Sequence, residues 1–508
     1  MTAKKHKGLR ILKHIVRFFL VPIIIILNIY IYFFLFVELR EFPYLYVLMQ
    51  ILGVVFVLEI YNNNQNISYK LTWTIFILAI PFSGAMFYLL FGGGKTIPNR
   101  KNRKIIKYME DKIPQNDLID EIDDKVTKKL CRHLYENTKF PLYKNTNQIF
   151  ISDGKKKFDM MFEELNKAQD FIFMEYFIVS RGEIFNKLKD ILLKKAEQGV
   201  KIKFIYDAVG SGGTLRKKDL EDLKNHQNIS IVPYNPLGYN ISLAINYRDH
   251  RKICIVDGRV CFVGGINLAD EYANIKNRFG HWRDNALMIE GDAVKSYMAL
   301  FSINWYMSTK EPLSINSYEN KHDIINDNYV FPFGDGPTND LNPTYSLFFD
   351  MISNANDYIY ISTPYLIIDK VFIQALSSAA KSGVDVRILL PHIPDKKLVF
   401  KITQSHYGKL LEDGVKIYEF KPGFNHAKNI IVDGKYGYVG TSNIDYRSMF
   451  LHFECGNFMV DDKCIKDIYD NFIEDLDKSI LIDYKTWKKR SIFSKMLGFI
   501  LQIVSPLL

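Results

Sequence analysis

Long apolar stretches dominate the N-terminal part of the chain, at positions 18–37, 44–60 and 71–91. A helix needs about 20 apolar residues to cross a bilayer, so the first and third stretches predict membrane-spanning helices and the second is marginal. The first stretch is too long for a signal peptide and has no small-residue cleavage site. We therefore predict that residues 1–94 form a membrane region with two or three apolar helices.

Beyond residue 138, apolar runs of strand length alternate with helical stretches. The run at 171–177 is followed by a helical stretch and a second apolar run, and the same order returns from residue 358 onward. Strand, helix and strand at this spacing form a βαβ unit. The sequence therefore predicts an α/β fold with two duplicated domains that contain mixed sheets, at 139–330 and 331–484.

Two further segments flank the duplicated domains. The stretch 95–138 is charged and helical in tendency, which predicts a solvated connector. The segment 485–508 begins with basic residues and continues with apolar residues at helical spacing from Ile492 to Val504. This pattern favours an amphipathic helix lying on an anionic membrane, and a helix packed on the protein's own sheet is the alternative.

One short pattern, H-x-K-x4-D-x6-G-x2-N, occurs once in each duplicated half. On a strand, alternate residues share a face, so the His and Lys of each copy project together. The first copy consists of His250, Lys252, Asp257, Gly264 and Asn267. The second copy has the same spacing and consists of His426, Lys428, Asp433, Gly440 and Asn443.

Two such copies can perform chemistry that neither performs alone. A neutral imidazole can attack a phosphorus centre, and a second, protonated imidazole can give a proton to the leaving alkoxide. Two lysine ammonium groups and two asparagine amides would hold the phosphate oxygens. Folding the halves together would bring both histidines to one seam. The pattern therefore indicates phosphoryl-group transfer through a phosphohistidine, with neither a metal nor a cofactor.

The doubled H-x-K-x4-D motif resembles that of the phospholipase D superfamily. From about residue 45 onward, the chain also resembles the bacterial cardiolipin synthases of that superfamily, with a first apolar span that is extra to the usual two. The matching stretches are the apolar hairpin at 78–92 and the segments 206–211, 246–252 and 280–284.

The resemblance implies a transphosphatidylation. One phosphatidylglycerol would be attacked at phosphorus by a histidine, with release of glycerol. The terminal hydroxyl of a second phosphatidylglycerol would then attack the phosphatidyl-histidine and give cardiolipin. A membrane-bound phospholipase D or phosphodiesterase that hydrolyses phospholipid is the alternative, and a nuclease is a more distant one.

The resemblance also implies roles for individual residues. His250 would be the nucleophile and His426 the general acid and then the general base, although the symmetry of the motif permits the reverse. Downstream acids in the opposite halves would orient the imidazoles, Glu454 for His250 and Asp284 for His426.

The other motif residues would bind the substrate or support the motif. We expect Lys252, Lys428 and the two asparagines to bind phosphate, beside the motif glycines. Asp257 and Asp433 belong to the motif as catalytic candidates, but we expect them to stabilise the motif turns and the domain seam rather than to transfer protons.

The net charge of the chain indicates which kind of molecule it binds. The net charge of +10 suits an anionic partner, and a membrane-tethered chain meets lipid headgroups before nucleic acid. We therefore expect phosphatidylglycerol and anionic membrane lipids as partners and no nucleic acid.

The five cysteines form no C-x-x-C pair, which gives zinc and disulfide frameworks little support. The sequence does not decide between a monomer and a homodimer.

Basic residues flank the membrane region on both sides, before position 18 and after position 94. The positive-inside rule places both flanks in the cytoplasm, which requires an even number of crossings. One of the three apolar segments should then be re-entrant or interfacial. We predict a multi-pass protein of the bacterial cell membrane whose duplicated domains face the cytoplasm.

Overall fold

The computed structural model describes residue 30 and the ranges 43–62, 66–92, 117–236, 247–313, 323–337 and 341–507, together with residues 315 and 339. The chain divides into two compact units, Met1–Gly94 and Lys95–Leu508.

The described part of the first unit is helical. Its elements are Pro43–Asn62, Ile67–Ala79, Pro81–Phe87 and a π-helical turn at Tyr88–Gly92. The prediction that 71–91 forms one spanning helix is wrong. Pro81 has no N–H and cannot continue the preceding helix, so one helix ends at Ala79 and another starts at Pro81.

Membrane crossings were predicted from the apolar stretches. Among the residues that the structure describes, no helix combines the length and the apolar character that a crossing requires. The first predicted span, 18–37, lies outside the described residues apart from Tyr30.

The second unit contains two large mixed sheets. The strands of the first sheet are β1 Thr146–Ile151, β2 Phe171–Tyr176, β3 Lys201–Asp207, β4 Ile229–Tyr234, β5 Lys252–Val256, β6 Val260–Gly264 and β8 Ala286–Gly291, and β7 His281–Arg283 lies outside the sheet. The order of these seven strands is β1-β8-β6-β5-β2-β3-β4, with β2, β3 and β4 parallel and the other neighbours antiparallel.

The second sheet repeats this topology and adds one edge strand. Its order is β19-β13-β12-β10-β15-β16-β18-β9, so the six strands from β18 to β13 correspond to those from β8 to β4. The prediction of two duplicated α/β domains with mixed sheets is confirmed. The strands are β9 Tyr329–Asp335, β10 Tyr358–Ser362, β12 Asp385–Pro391, β13 Lys416–Phe420, β15 Asn429–Val432, β16 Tyr436–Gly440, β18 Glu454–Val460 and β19 Ser479–Leu481, with the short β11 Leu366–Ile367, β14 Gly423–Asn425 and β17 Ile444–Asp445 outside it.

Amphipathic helices cover these sheets, and several begin at an aspartate that accepts a hydrogen bond from the first turn. The α-helices of this unit are Lys125–Thr138, Gly154–Lys167, Glu183–Glu197, Glu221–Asn225, Val294–Thr309, Pro343–Ser353, Lys370–Lys381, Lys397–Ser405, Tyr407–Glu412, Tyr446–Phe450, Lys463–Asp477, Tyr484–Lys488 and Ile492–Val504. Short 3-10 helices lie at Leu118–Glu121, Lys217–Leu220, Asp270–Ala273 and Ser505–Leu507.

The charged stretch before the first sheet differs from the expected solvated connector where the structure describes it. Helix Lys125–Thr138 buries Leu130, Cys131 and Leu134, and these residues belong to the same core as the second sheet. The exposed residues of this helix are all charged and occupy its other face, which explains why composition alone indicated a solvated segment.

The two halves share a core and a backbone seam. Tyr297 and Phe301 from the first half and Phe333 and Tyr438 from the second lie in one buried cluster. At the seam, β7 pairs in parallel with β14, and Asp249 forms a β-bridge with Phe453. Both motif histidines lie directly beside these cross-half contacts.

Candidate active site

The two motif histidines occupy equivalent places in the two sheets. His250 stands two residues before β5, which lies between β2 and β6, and His426 stands three residues before β15, which lies between β10 and β16. Both residues are buried, with 6% and 7% of their surface exposed. Because each of these strands is hydrogen-bonded on both sides, the backbone next to each imidazole is held in place.

A backbone hydrogen bond ties each histidine to the opposite half. The N–H of His250 donates to the carbonyl of Phe453 at 2.9 Å, and the N–H of His426 donates to the carbonyl of Arg283 at 2.6 Å. The residue after each carbonyl is the predicted orienting acid, Glu454 or Asp284. The fold therefore places each acid beside the histidine of the other half.

The acids contact the histidines through the same ring nitrogen. Glu454 lies 2.9 and 3.0 Å from Nδ1 of His250, and Asp284 Oδ2 lies 2.7 Å from Nδ1 of His426. Because an ionised carboxylate only accepts, each Nδ1 carries the proton and donates it. The Nε2 atom of each ring is then left with the lone pair that nucleophilic or base chemistry requires.

Further hydrogen bonds hold the acids ionised. The hydroxyl of Thr441 donates to Glu454 at 2.6 Å, and the backbone N–H of Asn285 donates to Asp284 at 2.8 Å. Burial acts to raise the pKa of each carboxyl, but the neighbouring histidine, the motif lysine and the hydrogen bonds to the carboxylate together outweigh it, so both pKa values lie below their usual range. Both acids are completely buried.

The motif lysines are also buried at the seam. Each ammonium donates to the backbone carbonyl of the histidine two residues before it. Burial lowers the pKa of Lys252 to about 8, against the attraction of Glu454. Burial also lowers the pKa of Lys428 to about 7, and the positive charge of Lys252 contributes to this shift. The two lysines therefore influence each other across the halves, as expected for one joint site.

Burial favours the neutral form of both imidazoles in the free site. Burial lowers the pKa of His250 well below its ordinary value, against the attraction of Glu454. Burial and the Lys428 ammonium, 3.0 Å from Nδ1, lower the pKa of His426 to about 4, against the attraction of Asp284. A neutral imidazole suits a nucleophile, whereas a general acid would have to acquire its proton once an anion is bound.

The motif aspartates lie at the far end of the strands from the histidines and act on the backbone. Asp257 accepts hydrogen bonds at 2.8–2.9 Å from the N–H groups of residues 169, 170 and 171. Asp433 accepts the equivalent three at 2.7–2.8 Å from residues 356, 357 and 358. These contacts match the expected stabilisation of the motif turns, and the structure does not bring either carboxylate to the imidazoles.

The motif glycines are required by close backbone approach. At Gly264, where φ is +151°, a Cβ atom would lie 2.5 Å from both the Cα of Ala286 and the carbonyl oxygen of Asn285. At Gly440, a Cβ would lie 2.7 Å from the carbonyl oxygen of Cys455 and 2.2 Å from the hydroxyl of Tyr438. Both positions therefore have a packing reason, whereas the sequence suggested substrate binding.

The motif asparagines make hydrogen bonds within the protein. The Asn267 carbonyl accepts from the N–H of Ile178 at 2.9 Å, and its amide donates to the hydroxyl of Tyr272 at 2.7 Å. The Asn443 amide donates to Asp445 at 3.1 Å. Phosphate binding by these residues stays a prediction, and the observed contacts give them a part in shaping the walls of the site.

Different walls surround the two histidines. The rings of Tyr272, Trp282 and Phe424 lie 5.4–5.6 Å from the ring of His426. The ring of His250 instead contacts Phe177, at 4.7 Å between centroids. The site is therefore more aromatic on the His426 side.

A third histidine lies in the site, and we did not expect it from the sequence. The ring of His452 is 5.3 Å from the ring of His250, and its Nδ1 is 3.7 Å from Glu454. Its position two residues before the orienting acid was the available signal. Trp282 stands at the same position before Asp284.

Only one group among the described residues, His250, His452 and Glu454, could place three donor atoms around a metal ion. Glu454 is already engaged by His250 and Thr441, and Lys252 exerts a positive charge on both His250 and Glu454. A dication would have to displace these hydrogen bonds beside a lysine. The donor set therefore fits a histidine that is hydrogen-bonded to a carboxylate better than a metal.

Comparison with known proteins agrees with this geometry. Residues 161–305 and 348–476 match a family model described as cardiolipin synthase, PLD-like domain. Residues 51–93 match one described as phospholipase D-nuclease N-terminal. The first match covers both halves and contains both histidine motifs.

Similar proteins extend over most of the chain. The cardiolipin synthase of Geobacillus sp. (strain WCH70) is 35% identical over 469 residues, which cover 90% of this chain and 92% of that protein. An uncharacterized protein of Streptococcus mutans serotype c is 37% identical over 463 residues, which cover 89% and 99%.

A solved structure shares the fold. Phosphatidylserine synthase from Haemophilus influenzae Rd KW20 superposes with a TM-score of 0.57 at 16% identity, covering 75% of this chain and all of that one. The fold, the family match across both halves and the 35% identity along nine-tenths of the chain lead to one assignment: the chain belongs to the cardiolipin synthase family of phospholipase D-like proteins.

Proposed function

We propose that this protein is a cardiolipin synthase that transfers a phosphatidyl group from one phosphatidylglycerol to another. The observation that carries the proposal is the pair of buried imidazoles, each oriented by an acid of the opposite half. Together with the two buried lysines, they provide a nucleophile, an acid–base group and cationic phosphate ligands in one site.

In the first step, Nε2 of His250 attacks phosphorus and the bond to the glycerol oxygen breaks. His426 gives its proton to the departing glycerol alkoxide, so that glycerol leaves neutral. The negative phosphodiester favours the protonated form of His426, which counteracts the burial that lowers its pKa. Lys252 and Lys428 offset the charge that develops on the phosphate oxygens.

In the second step, the terminal hydroxyl of another phosphatidylglycerol attacks the phosphatidyl-histidine. His426, now neutral, takes the hydroxyl proton, and the P–N bond to His250 breaks to release cardiolipin. One phosphodiester replaces another, so the exchange needs no nucleotide. Water must be kept from the intermediate, and the aromatic wall of Tyr272, Trp282 and Phe424 serves this purpose.

The location follows from the substrate. We propose that the protein acts at the bacterial cell membrane, with the duplicated domains on the cytoplasmic side and phosphatidylglycerol as donor and acceptor. The family match of residues 51–93 and the basic residues around the membrane region support this placement.

Lipid analysis in a host that lacks cardiolipin tests the proposed function. Wild type should restore cardiolipin, whereas His250→Asn and His426→Asn should not. His226→Asn provides a matched control, because His226 belongs to neither motif and should leave cardiolipin unchanged. Equal cardiolipin from wild type and both motif variants would contradict the mechanism.

A purified preparation distinguishes transfer from hydrolysis. With phosphatidylglycerol labelled in its phosphate, a transferase yields labelled cardiolipin and free glycerol. Labelled phosphatidic acid without cardiolipin would instead identify a phospholipase D.

A further inference from the structure

The C-terminal helix Ile492–Val504 is fixed to the second half by one of its faces. Leu501 is buried in a cluster with Ile402 and Ile367. The Gln502 amide donates to the carbonyl of Ser405 at 2.8 Å. The C-terminal helix therefore packs mainly on helix Lys397–Ser405, whereas the alternative considered from the sequence was packing on the sheet.

The opposite face of the same helix is apolar and exposed. Leu398 on the neighbouring helix is also 53% exposed. Large apolar side chains at helical spacing on solvent-facing positions are typical of an interaction site. We call these residues the C-terminal apolar surface: Leu398, Ile492 (76% exposed), Phe493 (75%), Met496 (58%), Leu497 (36%) and Ile500 (54%).

Basic residues flank the C-terminal apolar surface. The chain from 484 to 508 contains no Asp or Glu. An anionic lipid surface attracts nearby Lys and Arg side chains, while apolar side chains enter the headgroup boundary. Exposed lysines lie on both helices or just before them: Lys396, Lys397, Lys401, Lys488, Lys489 and Lys495.

The C-terminal apolar surface is connected to the active site. Helix Lys397–Ser405 follows Asp395, whose carboxylate accepts a hydrogen bond from Tyr365 at 2.7 Å. The ring of Tyr365 lies 6.5 Å from Phe424, which is part of the aromatic wall around His426. Anchoring this surface would therefore hold the aromatic side of the site near whatever it is anchored to.

We propose that the C-terminal apolar surface docks into the interface of an anionic bilayer and holds the His426 side of the active site against the lipid that supplies the substrate. The inference rests on the proposed function for the identity of that lipid. A second copy of the chain is a poorer occupant, because two such surfaces would bring their flanking lysines together.

Fluorescence quenching tests the docking directly. The full chain with Phe493→Cys is labelled with an environment-sensitive dye and reconstituted into vesicles of phosphatidylglycerol and phosphatidylcholine. The five native cysteines are buried, so the introduced thiol is the preferred target. Ile325→Cys is the matched control, since Ile325 is 91% exposed and outside the proposed surface.

Lipids with a nitroxide near the top of the acyl chain should quench the dye at position 493 and leave the dye at 325 nearly unquenched. Quenching at 493 should weaken in vesicles of phosphatidylcholine alone. Equal quenching at both positions would overturn the proposal. So would a dye response that requires no lipid and grows with protein concentration in detergent, because it would identify self-association.

Activity provides a second readout. The double variant Phe493→Ser with Met496→Ser should lose about tenfold or more of its rate on vesicles and keep its rate on dispersed short-chain phosphatidylglycerol. Ile325→Ser should change neither rate. Equal losses on both substrates would show damage to the fold and overturn the proposal. A wild type that forms no cardiolipin on either substrate would contradict the proposed function, whereas the quenching result would still decide the docking.

Discussion

At the scale of single residues, the two histidines differ in what surrounds them. His250 contacts Phe177 and His452, whereas His426 lies among three aromatic rings with Lys428 beside its Nδ1. The spacing of the motif is identical in both copies, so the sequence alone could not separate their roles. Because their neighbours differ, the two imidazoles experience different electrostatic environments. The roles of nucleophile and general acid can therefore be tested separately.

A substrate with a good leaving group distinguishes the nucleophilic histidine from the histidine that acts as general acid. A phosphatidyl nitrophenol releases a phenolate that needs no proton, so His426→Asn should release close to one equivalent of nitrophenol rapidly and then stall. His250→Asn should release none, because the nucleophile is absent. Stopped-flow absorbance measures the burst. A burst from His250→Asn and none from His426→Asn would reverse the assignment, and His226→Asn should behave as wild type.

The lysines set an alkaline limit on activity. The pKa of Lys428 is lowered to about 7 and that of Lys252 to about 8, so both lose their charge as the pH rises through these values. Because the proposed phosphate binding requires the charged forms, kcat/KM should fall as pH increases above about 7. The alkaline limb of kcat should lie at higher pH, because the bound anion stabilises the ammonium groups.

Initial rates in mixed micelles from pH 5 to 10 measure this dependence. Lys428→Arg should move the first loss of kcat/KM upward, since a guanidinium stays charged throughout this range. A kcat/KM that stays constant to pH 9 in the wild type would contradict a phosphate-binding role for these lysines.

At the scale of elements, the motif aspartates join strands. The Asp257 carboxylate accepts three backbone N–H groups at the start of β2 from the turn that links β5 and β6. Asp257→Ala should therefore reduce the free energy of unfolding by about 1–3 kcal/mol. The kcat of the folded protein should stay within a few-fold of wild type, because the carboxylate lies away from the imidazoles.

Thermal unfolding and turnover, measured on the same preparation, check this expectation. Asp190→Ala is a suitable control, because Asp190 is an exposed acid on helix Glu183–Glu197 and should change neither quantity. Lost turnover with an unchanged Tm in Asp257→Ala would assign the residue to the chemistry instead.

The sequence predicted the strands and helices better than it predicted the tertiary contacts between them. Alternation of strands and helices and the doubled motif predicted both sheets, because strand patterns are local. Two features depend on residues far apart in the chain, so no local pattern reveals them. They are the burial of helix Lys125–Thr138 and the hydrogen bond from the N–H of Ile178 to Asn267. His452 was missed for the same reason, since its partner His250 lies in the other half.

At the scale of the whole molecule, the active site requires both halves. Glu454 in the second half orients His250 in the first, and Asp284 in the first orients His426 in the second. Each acid variant should therefore share the phenotype of the histidine that it contacts, although that histidine lies in the opposite half of the sequence.

The nitrophenol burst distinguishes these pairs. Glu454→Gln should lose most of the burst, as His250→Asn does, because the His250 tautomer is no longer fixed. Asp284→Asn should keep the burst and lose steady-state cardiolipin synthesis by about 10⁴-fold, the scale of a comparable substitution in a serine protease triad. A burst retained in Glu454→Gln and lost in Asp284→Asn, while His250→Asn still gives none, would contradict these pairs. The same result with a burst in His250→Asn would instead reverse the roles of the two pairs.

The paired backbone bonds from His250 to Phe453 and from His426 to Arg283 have a consequence for the origin of the enzyme. In one copy of the half alone, the acid would not contact the histidine of the same copy. An unduplicated ancestor would therefore have worked as a symmetric dimer. In such a dimer both imidazoles share one environment, and either could attack. A chain that holds both halves is free of this constraint, and its equivalent positions hold His452 and Trp282. A fixed division of labour between the two histidines is available only to the fused chain.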